Sequence, residues 1–113
     1  MTLEEIKEII DKEDGVMLYF WGDNCAVCDA LKPKLIESFK DNFPKIKQIF
    51  IDAKNNTDIA AHFSVFSIPT TIVFLAGKEF AREGRAMSIG ALVEKIKRPY
   101  EIMTSWFLST YGV

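Results

Sequence analysis

The sequence predicts an α/β fold in one domain, with a four-stranded mixed sheet flanked by helices. Along the chain, segments with apolar residues at helical spacing alternate with short apolar runs of strand length. The chain has 113 residues, 49% of them hydrophobic, which is enough for one core. Since no repeat, linker or low-complexity tract divides it, we expect residues 1–113 to form a single domain.

The N-terminal segment predicts a helix followed by a buried strand. Thr2 can cap a helix, with Glu5 returning the bond from the third helical position, and apolar residues at helical spacing extend the helix from Leu3 to Lys12. Gly15 is predicted to end it. The unbroken apolar run 16–21 then predicts a central strand that is buried on both faces.

The middle of the chain predicts a long helix, a second strand and a short helix. Apolar residues at intervals of four extend the long helix from the two cysteines to about Asp41, with a kink at Pro33. The run 46–51 predicts a strand parallel to the first, because a helix joins the two through a right-handed crossover. The short helix begins near Asn56 or Thr57.

The last third of the chain predicts a β-hairpin and then a helix. Strands over 70–75 and 79–83 flank a turn at 76–78. Ser88 caps the following helix, and Pro99 discourages its continuation. The predicted order is therefore α-β-α-β-α-β-β-α.

Charge and composition argue against several classes of partner. The 14 Lys and Arg residues are scattered and are balanced by 16 Asp and Glu residues, so we expect no nucleic-acid partner. No apolar run approaches the roughly 18 residues that span a membrane. Residues 2–5, Thr-Leu-Glu-Glu, carry two acidic side chains, and no apolar signal core follows them. We therefore expect a cytoplasmic protein with no membrane partner.

The chain's only two cysteines, Cys25 and Cys28, are separated by two residues. Two cysteines are too few for a disulfide scaffold, and in a reducing compartment such a pair is more often catalytic or metal-binding than structural. At a strand-to-helix junction, free backbone N–H groups and the helix dipole favour a thiolate at Cys25. Cys28, one turn further, would then resolve a mixed disulfide.

Two alternatives for the cysteine pair are less favoured. A zinc site normally needs four ligands, and only His62 offers a further soft ligand, so we expect no metal and no cofactor. Buried structural cysteines do not need a position beside the polar segment 22–24. His62 itself is more simply a surface histidine than a catalytic base.

Several motifs together resemble the thioredoxin family. The segment 20–28, Phe-Trp-Gly-Asp-Asn-Cys-Ala-Val-Cys, resembles that family's Phe-Trp-Ala-x-x-Cys-x-x-Cys active-site segment, and residues 68–70, Ile-Pro-Thr, resemble its cis-proline loop. Pro33 matches the family's kink proline, and Gly84 matches its glycine beside the active site. The resemblance covers roughly residues 3–97.

The resemblance implies a thiol–disulfide oxidoreductase that exchanges the Cys25/Cys28 pair with protein disulfides. Cys25 would be the nucleophile and Cys28 the resolving thiol, and a thiol electron donor such as a thioredoxin reductase would restore the dithiol. Pro69 would be cis and lie against the cysteine pair. The residues that would support or bind the substrate are Trp21, Asn24, Ala26, Val27, Ser67, Ile68, Pro69 and Gly84.

The sequence departs from the family at three positions near the cysteines. Tyr19 stands where thioredoxins carry a buried Asp, and a phenol is a poor base at neutral pH although it can donate a hydrogen bond. Gln48 replaces the partnering Lys, and Asn24 replaces the Trp before the first cysteine. The direction of the redox reaction therefore stays open. The alternative functions are a thioredoxin-like binding or adaptor module and a redox sensor.

Residues 99–113 lie beyond the usual end of the family. Met103, Phe107 and Tyr111 form a stripe at intervals of four, which predicts an added amphipathic helix. We expect this extension to dock on its own domain, with a dimer or partner contact as the alternative.

Overall fold

The computed structural model describes the backbone of residues 1–110 and the side chains of residues 1–105. Its elements follow the predicted order. They are α1 (Leu3–Lys12), β1 (Gly15–Trp21), α2 (Ala26–Asn42), β2 (Ile46–Asp52), α3 (Thr57–His62), β3 (Thr70–Leu75), β4 (Lys78–Glu83) and α4 (Ile89–Thr110). Among residues 1–110, no helix has both the length and the apolar character needed to cross a membrane.

The four strands form one mixed sheet in the order β2-β1-β3-β4. Strand β1 runs parallel to β2 and antiparallel to β3, and β3 runs antiparallel to β4. The predicted sheet is therefore confirmed. The carboxyl ends of β1, β2 and β4 meet the amino end of β3 at one edge, where Phe20 pairs with Thr70 and Thr71 pairs with Glu83.

Strand β1 is the centre of the core and is buried on both faces, as predicted. Val16, Leu18 and Phe20 point to a cluster that includes residues of α1 and α3. Met17 and Tyr19 point to the opposite cluster, which includes residues of α2 and α4. All five side chains are completely buried. Alternate side chains of one strand thus join the two layers of the domain.

Gly15 begins β1 and does not end α1, contrary to the prediction. The helix ends at Lys12, and the N–H of Glu13 closes its last turn on the carbonyl of Ile9. A Cβ atom on Gly15 would lie 2.8 Å from the side chain of Ile46. Glycine is therefore needed here because strands β1 and β2 approach closely, which only the tertiary structure shows.

The hairpin between β3 and β4 contains a tight turn and a β-bulge. Ala76 and Gly77 both have positive φ, 51° and 80°, the pattern of a type I′ turn. The strand pairing shifts by one residue between Val73 and Phe74, which leaves Phe80 as the extra residue on β4. The bulge turns Phe80 outward, and 37% of its surface is exposed.

Helix α4 continues through Pro99, where the sequence predicted a break. A proline inside a helix removes one backbone hydrogen bond, and this loss is offset by contacts just beyond it. The ring of Tyr100 packs edge-on against Phe43 at 5.0 Å, and its hydroxyl accepts a hydrogen bond from the N–H of Lys45. The start of the extension thus docks on its own domain, as expected.

The remainder of the extension is only partly described. Ile102 is 58% exposed and Met103 is half-buried. With Pro99 they line an apolar cleft of about 560 Å³ beside the hairpin. The predicted stripe of Met103, Phe107 and Tyr111 cannot be followed further, since the last two side chains lie outside the described residues.

The turn provides a test of the hairpin geometry. Replacing Ala76 with Asn should raise the free energy of unfolding by about 0.5–1 kcal/mol, because Asn tolerates positive φ better than Ala and Asn-Gly is favoured in type I′ turns. Urea denaturation measures the change. The control is Ala86→Asn at an exposed turn residue without positive φ, where we expect no gain. Equal effects at both sites would contradict the assigned turn.

Candidate active site

Three loops meet at the edge of the sheet where β1 and β4 end and β3 begins. The loop after β1 leads to Cys25, the loop before β3 contains Pro69, and Gly84 follows β4. The first two loops touch, since a Cβ atom built on Gly22 would lie 2.7 Å from Cδ1 of Ile68. The fold thus collects residues from Gly22 to Gly84, 62 positions apart, into one surface.

Cys25 and Cys28 form a disulfide whose Cα atoms are 5.2 Å apart. Cys25 is the N-cap of α2, and Cys28 lies in the first turn of that helix. Both residues are buried, with exposed fractions of 5% and 1%. Cys28 is therefore the more buried residue of the pair, as the sequence predicted.

The amino terminus of α2 is arranged to stabilise negative charge on Cys25. The backbone N–H of Cys28 donates a hydrogen bond to Sγ of Cys25 at 3.1 Å. This N–H has no partner within the helix, and the helix dipole adds partial positive charge at the same position. When the disulfide is reduced, the same hydrogen bond favours the thiolate of Cys25.

Tyr19 supports the second cysteine from the central strand. Its buried hydroxyl donates a hydrogen bond to the carbonyl oxygen of Cys28 at 2.8 Å. Burial, and then the negative charge of Asp29, raises the pKa of Tyr19 above its ordinary value. The phenol therefore stays protonated at neutral pH and acts as a hydrogen-bond donor, not as a base.

Gln48 faces α2 and makes no buried charge pair. Its Nε2 atom donates to the carbonyl of Ile36 at 3.3 Å. Its buried Oε1 atom has no hydrogen-bond partner among the described residues. The replacement of the family's Lys by Gln48 thus leaves a neutral group between β2 and α2.

The loop before β3 has a defined conformation. The Ile68–Pro69 peptide bond is cis, and Pro69 is buried. The hydroxyl of Thr70 donates to the carbonyl of Ser67 at 2.7 Å and holds the loop closed. Ser67 is exposed and Ile68 is half-buried. Thr70 is part of the Ile-Pro-Thr motif, but the sequence did not predict that its side chain would stabilise the loop.

Asn24 and Trp21 have roles that the sequence motif did not show. Asn24 adopts a positive φ of 54° immediately before Cys25, a conformation that Asn accepts more readily than most residues. Trp21 is half-buried, and the ammonium of Lys32 lies 5.6 Å from its ring centroid and 5.0 Å from that of Phe50. This cation–π contact connects α2 to the ends of β1 and β2.

The remaining predicted site residues lie on the surface around the disulfide. Ala26 and Val27 line a cleft of about 310 Å³ along α2, together with Ala30, Leu31 and Lys34. Gly84 is exposed, and a Cβ atom built on it would meet nothing within 4 Å. No contact with residues 1–105 therefore requires glycine at this position.

His62 and the acidic residues near the cysteines do not form a further centre. His62 is exposed at the end of α3, with its ring edge-on to Phe63 at 4.8 Å, so it is a surface histidine, as predicted. Asp23 and Asp29 are also exposed. Within the described part of the chain, no group of three or more His, Cys, Asp or Glu residues could hold a metal ion.

Comparison with known proteins agrees with this geometry. The family model of thioredoxin matches residues 1–98. The chain belongs to the thioredoxin family. It is 35% identical over 101 residues to the thioredoxin-like protein YdfQ of Bacillus subtilis, with 89% of each chain covered. It is 30% identical over 81 residues to a thioredoxin of Mycoplasma genitalium, covering 72% of this chain and 78% of that protein.

Solved thioredoxin structures have the same fold. Thioredoxin 1 from Thermosipho africanus is 32% identical, with a TM-score of 0.70 over 79% of this chain and 98% of that one. Mitochondrial thioredoxin 3 from Saccharomyces cerevisiae, at 23% identity, shows the fold alone, with a TM-score of 0.74 over 87% of this chain and 90% of that one. Thioredoxin-family membership and a cysteine pair able to form a disulfide identify a thiol–disulfide oxidoreductase in the general sense.

Removing the phenolic hydroxyl tests the support that Tyr19 gives to the active-site helix. We expect Tyr19→Phe to lower the free energy of unfolding by about 1–2 kcal/mol, since a buried hydrogen bond is lost. The matched control is Tyr100→Phe, which removes an exposed hydrogen bond and should change stability by less than about 0.5 kcal/mol. Equal losses in urea denaturation would contradict a special role for Tyr19.

The raised pKa of Tyr19 also predicts a pH dependence. Tyrosine in the unfolded chain loses its proton with an ordinary pKa of 10.0, and folded Tyr19 keeps its proton to higher pH. The folded state therefore binds more protons above pH 10, and its stability falls as the pH rises through that range. The stability advantage of the wild type over Tyr19→Phe should shrink accordingly. A difference that is constant with pH would contradict this linkage.

Proposed function

We propose that the protein is a protein-disulfide reductase in which Cys25 is the nucleophile and Cys28 is the resolving thiol. The observation that carries the proposal is the hydrogen bond from the Cys28 N–H to Sγ of Cys25 at the amino terminus of α2. This hydrogen bond distinguishes the two cysteines. Cys25 accepts it and is also the more exposed residue of the pair.

In the first step, the Cys25 thiolate attacks one sulfur of a substrate disulfide. The new bond joins Sγ of Cys25 to the substrate, and the substrate disulfide breaks. The second substrate sulfur leaves as a thiolate and takes a proton from solvent. The amide at the helix terminus stabilises Cys25 until the attack occurs.

In the second step, Cys28 attacks Sγ of Cys25 as a thiolate. The mixed disulfide breaks, the substrate leaves as a dithiol, and the Cys25–Cys28 disulfide closes with two electrons transferred to the substrate. Tyr19 does not take the proton of Cys28, because its hydroxyl is protonated and donates to the Cys28 carbonyl. The proton therefore passes to water or to the departing substrate thiolate.

The surface around the disulfide suits an extended segment of a substrate protein. In the proposal, Ile68 offers backbone hydrogen bonds beside Pro69, Val27 and Ala26 border one side, and the open surface at Gly84 borders the other. The space above Gly84 supports this assignment, because a substrate backbone can approach there without meeting a side chain.

The proposal includes a thiol electron donor, such as a thioredoxin reductase, that restores the dithiol after each turnover. It also includes a cytoplasmic location, where the reducing glutathione pool would suit a reductase. A dimer or partner contact through residues 99–113 stays a prediction. Alkylation of the cysteine pair in intact cells followed by mass measurement tests the location, since a reductase in a reducing compartment should be largely in the dithiol form.

Exchanging each cysteine separately tests the two assigned roles. With dithiothreitol as the reductant, the wild type should catalyse the reduction of insulin disulfides. Cys25→Ser should abolish this catalysis. Cys28→Ser should also stop turnover, but it should accumulate a covalent adduct with the substrate that mass spectrometry detects and dithiothreitol reverses. An adduct that forms with Cys25→Ser and not with Cys28→Ser would reverse the roles.

The reduction potential of the pair tests the direction of the reaction. Equilibration with glutathione buffers measures it, and about 30 mV changes the exchange equilibrium tenfold. A reductase should lie near the value of about −270 mV that is typical of thioredoxin. A value of about −120 mV, as in strongly oxidising folding catalysts, would overturn the reductase assignment. The protein would still exchange disulfides, but in the oxidising direction.

A further inference from the structure

Strand β2 forms one edge of the sheet, and among residues 1–110 no strand pairs with its outer side. The sheet order is β2-β1-β3-β4, so β2 pairs only with β1. This pairing runs without a bulge from Ile46 opposite Gly15 to Asp52 opposite Trp21. An edge strand presents a row of backbone N–H and C=O groups that can pair with another chain.

The opposite edge of the sheet carries features that discourage such pairing. Strand β4 contains the bulge at Phe80 and four charged residues. Strand β2 has no bulge and no proline, and Lys47 is its only charged residue before the last position. Bulges, prolines and charges are the common means of blocking an edge. The edge of β2 is therefore the one available for pairing.

One hydrogen bond shows which backbone groups of β2 face this edge. The N–H of Ala53 donates to the carbonyl of Trp21 on β1 at 2.9 Å. Alternate residues of a strand direct their N–H and C=O groups to opposite sides. Counting back from Ala53, the odd-numbered residues of β2 therefore face β1. The residues that face outward are Ile46, Gln48, Phe50 and Asp52.

Each of these four residues has one N–H and one C=O, and two of these groups already have partners. The N–H of Ile46 donates to the carbonyl of Phe43 at 3.0 Å. The carbonyl of Asp52 accepts from Nδ2 of Asn56 at 3.0 Å. The other six groups have no partner among residues 1–105. They are the N–H groups of Gln48, Phe50 and Asp52 and the C=O groups of Ile46, Gln48 and Phe50.

The six free groups form a self-complementary pattern. In an antiparallel pair of strands, two opposed residues exchange N–H···O=C bonds in both directions. With a twofold axis at Ile49, Gln48 lies opposite Phe50 of the second copy, and Ile46 lies opposite Asp52 of the second copy. Every free N–H then meets a free C=O. An axis one residue to either side would oppose a free group to the occupied N–H of Ile46 or the occupied carbonyl of Asp52.

The side chains in this register are compatible with close approach. A cleft of about 400 Å³ lies between β2 and α2 and is lined by Gln48 and Phe50, among others. Phe50 of the second copy lies opposite Gln48, where the cleft can bury part of its ring. The two copies of Lys47 are about 14 Å apart, given four residues along the strand and one spacing between strands. Salt at about 0.1 M screens surface charges beyond about 10 Å, so these lysines oppose pairing little.

We propose that β2 is a homodimer interface, at which two copies of this chain pair antiparallel about a twofold axis at Ile49 and join their sheets. The partner is a second copy because the free groups of this edge are their own complement. Cys25 and Cys28 lie at the start of α2 and contribute no group to the edge, so the dimer does not depend on the proposed exchange chemistry. Since one strand makes a small interface, we expect a dissociation constant of about 10 μM.

Sedimentation and amide hydrogen exchange of the wild type test the proposal, in dithiothreitol to exclude disulfides between chains. Sedimentation should show monomer at about 1 μM and dimer at about 1 mM. The amides of Gln48, Phe50 and Asp52 should exchange about fivefold more slowly at about 1 mM than at about 20 μM, because only the monomer exposes them. The amides of β4, at the opposite edge, should keep their rates.

Gln48→Pro and Gln48→Ala form a matched pair of variants. Both remove the hydrogen bond from Nε2 to the carbonyl of Ile36, and only proline removes the outward N–H. Proline should raise the dissociation constant at least about tenfold, and alanine should change it by about twofold or less. Because the lost N–H does not bond to β1, the proline variant should stay folded, which circular dichroism checks. If it unfolds, the exchange rates of the wild type decide.

Four results would contradict the proposal. The first is a wild type that stays monomeric at about 1 mM. The second is a dimer whose slowed amides lie in another element, such as α4, since a different face would then form the interface. Equal weakening by proline and alanine would assign the contact to the Gln48 side chain and not to backbone pairing. Assemblies that grow beyond the dimer would exclude a closed twofold interface.

Discussion

The rest of the structure depends on the burial of strand β1 on both of its faces. A strand that is covered on both sides cannot shift its register by one residue without exchanging every side chain between the two layers. Val16 and Leu18 are committed to one cluster, and Met17 and Tyr19 to the other. This constraint fixes the register of β1, whose last residue, Trp21, leads into the loop to Cys25.

The register of β1 also places the side chain of Tyr19 against the active-site helix α2. Its ring fills the core beneath α2, and its hydroxyl reaches the carbonyl of Cys28. Burying a neutral phenol that has a hydrogen-bond acceptor costs less than burying a charged pair. With Tyr19 and Gln48 the protein has neutral groups where other thioredoxins carry charges. Tyr19 therefore supports the helix as a neutral hydrogen-bond donor.

The cysteine pair and the loop before β3 occupy different parts of the same edge. The amino terminus of α2 supplies the electrostatic environment of Cys25, because the N–H of Cys28 donates to the sulfur and the helix dipole adds partial positive charge there. The loop before β3 supplies shape, since Thr70 closes it and Phe66 projects from it into solvent. The loop and the helix terminus beside Cys25 are therefore held by separate sets of contacts.

The sequence by itself determined the order of the elements and the place of the cysteine pair, because apolar periodicity and the strand-to-helix junction are local properties of the chain. Only the tertiary structure decided the reason for Gly15, the continuation of α4 through Pro99 and the exposure of Phe66. Each depends on residues distant in sequence: Gly15 on Ile46, and the helix beyond Pro99 on Phe43. Local patterns carry no information about such contacts, since packing between elements creates them.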